Sequence, residues 1–294
     1  MTRDPLALRL AFALGLLLLA AFLPTLSLPG RATDTVLVFD ITQSMNVEDE
    51  RLDGAPVDRL AFARDVAGRA LRELPCGSRV GWAVFAEYRS LLLLAPIEVC
   101  AHYSDLLATL AAIDGRMRWG NASEVSKGTF WALRIAKELG GPPPSLVFVS
   151  DGHEAPPLSG GALPLFDDLH PGEVHGWLLG VGGEAPKPIP KTDPEGHRIG
   201  FWRPEDVVAP EGAGGRRAGE HLSGLHEAHL QALAQQIGFD YARLDGVATM
   251  RAALRDPRHA QRRDVPTQLA WLPALAALGV LGWTFRGAAR RRYL

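Results

Sequence analysis

The sequence predicts an α/β fold: a doubly wound, mostly parallel sheet with one antiparallel edge strand, flanked by two transmembrane helices. Three observations predict it. Short runs rich in β-branched and aromatic residues, such as 35–39 and 145–150, alternate with longer segments whose apolar residues recur at helical spacing. Gly and Pro clusters punctuate the boundaries between them. Uncharged apolar stretches lie near both ends, at 10–28 and 269–285.

The chain has 294 residues and a net charge of −2. That is room for one sizeable domain with appendages, and no excess of basic charge to suggest nucleic acid as a partner. Residues 1–33 read as an N-terminal transmembrane anchor. The apolar run suits a spanning helix of about 20 residues, and its length favours an anchor over a signal peptide cleaved at the small-x-small triplet Gly30-Arg31-Ala32. Residues 34–250 read as one folded domain. It opens on the apolar run 35–39, a buried central strand that ends on Asp40. Residues 58–74 carry Leu60, Ala63, Val66, Ala67, Ala70 and Leu71 at helical spacing and form the first crossover helix, stopped by Pro75-Cys76-Gly77.

Residues 79–86 and 91–95 read as a hairpin turning at Glu87-Tyr88. Cys76 precedes its first strand and Cys100 follows its second, so antiparallel pairing sets the two cysteines side by side. A Cys76–Cys100 disulfide is the expectation, in a compartment where disulfides persist. A short helix over 103–113, a loop through Trp119 and Ser123, and a longer helix from Val125 to Leu139 follow. Residues 145–150 form a second buried strand ending on Asp151, and residues 174–181 a third. Residues 183–220, rich in Pro, Gly and charge, read as a long surface excursion with a small hairpin at Pro194-Glu195-Gly196. A helix over 224–237 and an edge strand over 239–244 close the domain. Residues 251–268 read as a charged linker and 269–285 as the second transmembrane helix, with a span of about 26 Å. The basic tail 286–294 and the pair Arg3 and Arg9 place both ends in the cytoplasm by the positive-inside rule. The expectation is a two-pass protein of the bacterial inner membrane whose folded domain faces the periplasm.

Asp40 is followed by two hydroxyls, Thr42 and Ser44, in the turn beyond the strand. Ligand sites of open α/β sheets lie at that carboxyl edge. A carboxylate with hydroxyls suits a hard divalent cation, Mg²⁺ first and Mn²⁺ or Ca²⁺ after it. This segment resembles the first motif of the von Willebrand factor A domain family, Asp-x-Ser-x-Ser, with Thr42 in place of the first Ser. Ser123, five residues before Gly128, resembles the hydroxyl of the family's second loop, with Ser126 and Thr129 as weaker matches. The segment 147–152, ending Asp151-Gly152, resembles the third. The resemblance implies a metal-ion-dependent adhesion site in which Thr42, Ser44 and Ser123 supply hydroxyls and Asp40 and Asp151 bind the ion directly or through water. It also implies a protein partner whose carboxylate completes the coordination.

Several segments, including 74–78, 99–103 and 150–157, are similar to the MxaL-type membrane-anchored A-domain proteins of bacterial methanol-oxidation gene clusters. That likeness implies an accessory role in maturing periplasmic methanol dehydrogenase. A subunit of a MoxR ATPase-associated stress or assembly complex is the neighbouring expectation. An enzyme is not expected. A metal-dependent hydrolase, the alternative from another class, has no placed general base in the sequence. His153 beside Asp151, and Trp119 and Trp202 in loops, are candidate partner contacts. His221, His226 and His229 lack the repeated spacing of a transition-metal site and read as a solvated helix face.

Overall fold

The structure is a computed structural model that describes residues 5–158, 163–164, 170–207 and 219–290. Part of the expected excursion, 208–218, and residues 291–294 of the expected tail lie outside the described residues. The elements in chain order are α1 (Pro5–Phe22), β1 (Leu26–Ala32), β2 (Asp34–Asp40), a 3-10 turn (Gln43–Asn46), β3 (Glu50–Leu52), β4 (Ala55–Val57), α2 (Arg59–Leu71), β5 (Arg79–Ala86), β6 (Arg89–Glu98), α3 (Tyr103–Ala112) and α4 (Val125–Glu138). There follow β7 (Ser145–Ser150), β8 (Gly176–Gly180), β9 (Lys187–Pro188), β10 (Pro190–Thr192), β11 (Arg198–Phe201), β12 (Leu222–Ser223), α5 (Glu227–Ile237), β13 (Asp240–Arg243), α6 (Val247–Leu254), β14 (Gln261–Thr267) and α7 (Trp271–Arg290). They divide into two compact units, residues 31–261 and residues 1–30 with 262–294.

The larger unit is built on a six-stranded sheet of order β13-β8-β7-β2-β5-β6. β2 lies inside it, parallel to β5 on one side and β7 on the other. β8 and β13 extend the parallel set, and β6 returns antiparallel along β5 as the expected edge. The period-2 alternation of β2 divides the core in two. Leu37 and Phe39 pack beneath α2, α3 and α6, while Val36 and Val38 face α4 and α5. All four are fully buried, each stabilising the fold by about 1.5–3 kcal/mol. Such a strand cannot shift by one residue without exchanging its two faces, so its last residue, Asp40, is held in place at the sheet's carboxyl edge.

The first crossover helix begins where the sequence places it. Asp58 caps α2 by accepting a hydrogen bond from the Ala61 amide at 2.7 Å. Cys76 and Cys100 are joined by a disulfide with Cα atoms 5.3 Å apart, within the usual range.

Two expectations are corrected. Residues 251–268 are not a bare linker: α6 buries Met250, Ala253 and Leu254 against the α2 side of the sheet, and 261–267 form β14. The apolar set of α6 spans only two turns and is interrupted by charge, so it has little periodic signal. The N-terminal helix ends at Phe22 rather than near residue 28. Leu23 precedes Pro24, which disfavours helical backbone there, and 26–32 form β1 instead, paired with β14.

In the smaller unit α1 and α7 pack along one another, with the Arg9 guanidinium 4.3 Å from the Trp283 ring centroid. A residue near the start of α1 meeting one near the end of α7 makes the pair antiparallel. Both helices expose large apolar side chains, Phe12, Leu14 and Phe22 on one and Leu275, Leu278 and Phe285 on the other. Among the described residues, α1 alone is both long and apolar enough to cross a bilayer.

Candidate functional site

Three loops meet at the carboxyl ends of β2 and β7. The first leaves β2 at Asp40, which is fully buried. Its Oδ1 accepts hydrogen bonds from the Thr42 amide at 2.9 Å and the Thr42 hydroxyl at 2.7 Å, and its Oδ2 accepts from the Ser150 hydroxyl at 2.7 Å. Thr42 Oγ1 and Ser44 Oγ lie 3.1 Å apart. Because Thr42 gives its proton to Asp40, its oxygen lone pairs remain for another partner.

The second loop brings in Ser123. Its amide donates to the Ala155 carbonyl and its carbonyl accepts from the Ala155 amide, each at 2.7 Å, which ties it to the third loop. The next residue, Glu124, donates its amide to the Glu87 carbonyl at 2.6 Å. Gly128 allows α4 to lie this close to the sheet, since a Cβ there would come 2.1 Å from the Phe85 ring. Ser123 is 2% exposed, and its Oγ has no hydrogen-bond partner. The two weaker matches are engaged elsewhere. Ser126 donates to Glu154 at 2.6 Å, and Thr129 to the Val125 carbonyl at 2.9 Å.

The third loop carries Asp151, also fully buried. Its Oδ1 accepts from the His153 amide at 3.0 Å. Its Oδ2 accepts from the Ser223 hydroxyl at 2.7 Å and from Arg59 Nη1 at 2.5 Å. Asp151 therefore reaches an ion only by sharing oxygens already in use or through water. Gly152 follows at φ +74°, a conformation suited to glycine, where a Cβ would also press on Leu230 at 2.8 Å.

Arg59 is the residue that sequence reasoning missed. It is fully buried and grips Asp49 with two hydrogen bonds of 2.9 and 2.6 Å. It also donates to the Ser223 hydroxyl at 2.7 Å and the Ser44 carbonyl at 3.3 Å. One guanidinium thus joins the first loop, the third loop and the return of the excursion. Its one sequence signal is its position in the first turn of α2, where the helix dipole disfavours a cation.

The electrostatics follow from burial. Desolvation foremost, then the Asp151 charge, pushes the Asp40 carboxyl up to about 7. Burial would raise Asp151 as well, but Arg59 beside it, with His153 and Ser223, holds it below the usual carboxylate range. Arg59 pairs with Asp151, whereas Asp40 is met by hydroxyls and an amide, and two buried acids with that much neutralisation suit an added hard cation. Burial lowers the His153 imidazole, which is therefore neutral at pH 7. Both its ring nitrogens lack a hydrogen-bond partner.

Above these groups lies a cavity of about 360 Å³. Thr42, Ser44, Ser123 and His153 line it, together with Ile189 and Trp202 from the excursion. Asp40 and Asp151 stand behind the hydroxyls and are not part of the lining. The structure thus brings all five expected ligands to one place. Of the candidate partner contacts, His153 and Trp202 reach the cavity, while Trp119 is 40% exposed and outside its lining. Of the histidines read as a solvated face, His226 is exposed yet reaches the edge of the site. His226 packs edge-on against His153 with centroids 5.5 Å apart, and His229 Nε2 lies 3.0 Å from Glu154 Oε1.

No protein-family model and no curated protein matches the sequence. Solved structures match the fold. An aerotolerance-related membrane protein from Bacteroides fragilis, carrying multiple mutations to serines, superposes with a TM-score of 0.55 at 19% identity, over 77% of this chain and 99% of its own. BatB from Bacteroides thetaiotaomicron superposes at 0.51 with 18% identity, over 77% and 97%. A von Willebrand factor type A protein from Catenulispora acidiphila superposes at 0.42 with 12% identity, over 80% and 44%. At these identities the two Bacteroides structures share a likeness of fold.

Proposed function

We propose that the chain is a membrane-anchored accessory protein of the von Willebrand A type that binds a protein partner through a divalent cation. The observation that carries this reading is the Ser123 hydroxyl, buried without a partner and lining the same cavity as Thr42 and Ser44, over two buried carboxylates. An all-oxygen donor set of this kind favours Mg²⁺ over softer ions. Thr42, Ser44 and Ser123 would hold it, with Asp40 and Asp151 behind them. The ion would supply an electrophilic position for a partner's carboxylate.

The antiparallel α1–α7 pair with its outward apolar side chains supports two membrane passes, and the disulfide supports a periplasmic domain. The sequence resemblance directs the proposal to maturation of periplasmic methanol dehydrogenase. A subunit of a MoxR ATPase-associated stress or assembly complex is the second destination, with which the aerotolerance-related name of the Bacteroides fragilis fold neighbour is in keeping.

The test is affinity capture from detergent-solubilised membranes in Mg²⁺ and in EDTA, with Ser123→Ala beside the natural chain. Ser123→Ala removes a hydroxyl that makes no hydrogen bond, so the fold should tolerate it. A partner captured only with Mg²⁺ and an intact Ser123 supports metal-gated binding. Equal capture in every condition overturns it.

A further inference from the structure

We infer that the cavity takes an acidic side chain of a partner protein flanked by an apolar residue. The carboxylate meets the hydroxyl floor, and the apolar neighbour rests on Ile189 and Trp202. This rests on the metal-binding reading above and adds the partner's local chemistry.

The excursion is a wall built onto the site. β9 pairs antiparallel with β12, and β10 with β11. The Trp202 amide donates to the Ile189 carbonyl at 3.0 Å, which fixes the two residues side by side. The Thr192 amide donates to Gln43 Oε1 at 3.0 Å, and Gln43 Nε2 donates to Asn121 Oδ1 at 3.0 Å. The excursion is thereby tied to both hydroxyl-bearing loops. The Lys191 ammonium sits 4.6 Å from the Trp202 ring centroid and 3.4 Å from Asp206, holding the outer face of the wall.

The polar floor and the apolar wall make different demands. Ser123 Oγ and both His153 nitrogens lack a hydrogen-bond partner on residues only 2% and 4% exposed. Buried polar groups are normally hydrogen-bonded, so these favour an oxygen-bearing ligand. Ile189, Trp202, Pro156 and Val207 line the same space with apolar side chains, and the buried Trp202 N–H has no hydrogen-bond partner. The volume exceeds what one carboxylate fills but not what a short peptide segment fills. Asp206 and Glu220 also line the cavity, with Glu220 Oε2 3.9 Å from His153 Nε2. Lys191 offsets the Asp206 charge at 3.4 Å, and a cation bound by the floor hydroxyls would add the local attraction for an anion, which couples partner binding to the metal.

The experiment titrates four N-acetylated tripeptide amides, Leu-Glu-Leu, Gly-Glu-Gly, Leu-Gln-Leu and Leu-Lys-Leu, into the full chain in detergent micelles, with Mg²⁺ and with EDTA. Mg²⁺ alone is titrated in parallel. With Mg²⁺, Leu-Glu-Leu should bind about tenfold more tightly than Gly-Glu-Gly and at least about tenfold more tightly than Leu-Gln-Leu. Trp202→Ala should reduce the Leu-over-Gly preference to within about twofold and leave the Mg²⁺ titration unchanged. Equal affinity for Leu-Glu-Leu and Gly-Glu-Gly on metal-loaded protein overturns this inference and leaves the metal reading standing. Leu-Glu-Leu binding undiminished in EDTA, with no Mg²⁺ uptake, overturns the metal reading and keeps the apolar wall. Absence of both metal and peptide binding overturns both. Strongest binding by Leu-Lys-Leu overturns the inference in favour of recognition by the acidic rim.

Discussion

Replacing Arg59 by Met removes one guanidinium from a place where two buried carboxylates depend on it. Arg59 is fully buried, and the side chains of its partners Asp49 and Asp151 are 2% and 0% exposed. Met fills similar space without charge, so the loss is electrostatic rather than a cavity. Removing one partner of a buried ion pair destabilises by about 3–5 kcal/mol, because the other charge is left uncompensated. Here two acids lose their counter-charge, and the Ser223 hydroxyl and carbonyl lose a donor as well. For a domain of this size, each kcal/mol lowers the melting temperature by about 2–4 °C, so the variant should melt about 6–20 °C below the natural chain. The assay is a thermal scan of the full chain in detergent, monitored by tryptophan fluorescence. The double variant Arg59→Met with Asp151→Asn should regain part of the loss, since one stranded charge is removed along with the guanidinium. A single-variant shift under about 3 °C, or a double variant whose loss equals the sum of the singles, would refute the view that Arg59 serves as counter-ion to the site.

Ser123→Ala should weaken Mg²⁺ binding at least about tenfold while changing stability by less than about 0.5 kcal/mol, because its hydroxyl makes no hydrogen bond; calorimetric titration and a melt check both. Asp256 is 4% exposed, receives three hydrogen bonds from the Arg258 side chain and one from Trp177 Nε1, and its carboxyl is held at about 2 against an ordinary 3.8. A lowered carboxylate stabilises above its unfolded-state value and ceases to do so as pH falls through the folded one. Asp256→Asn should therefore lose about 2 kcal/mol at pH 7 and match the natural chain near pH 2, as seen in unfolding at a series of pH values. Reducing the Cys76–Cys100 bridge, or Cys76→Ser, should lower stability by about 3 kcal/mol for a loop closed across 24 positions, measured by urea unfolding with and without reductant. Gly128→Val should destabilise by more than about 2 kcal/mol, since even a Cβ meets the Phe85 ring at 2.1 Å; a variant that melts with the natural chain contradicts the packing described for α4.

The alternation of Val36, Leu37, Val38 and Phe39 and the helical spacing after Asp58 are local patterns, and they specify a buried strand, its crossover helix and the location of Asp40 without outside help. The disulfide was equally legible, because two cysteines flanking a hairpin meet whenever the hairpin forms. The three motif loops could be named from their resemblance to the von Willebrand A motifs. Which hydroxyl of the second loop remains free could not, because that depends on Glu154 engaging Ser126 and on the Val125 carbonyl engaging Thr129. Arg59 and Asp151 lie 92 positions apart, and a pairing across that distance leaves no periodic trace in composition. The excursion hid for the same reason: its Pro, Gly and charge read as surface, and the bond from the Thr192 amide to Gln43, across 149 positions, helps bring Ile189 and Trp202 against the loops as a wall of the cavity. Local propensity and patterning decided the elements and where their ends fall. Long-range desolvation and charge pairing, which exist only once the chain is folded, decided which buried groups are neutralised and which are left to meet a ligand.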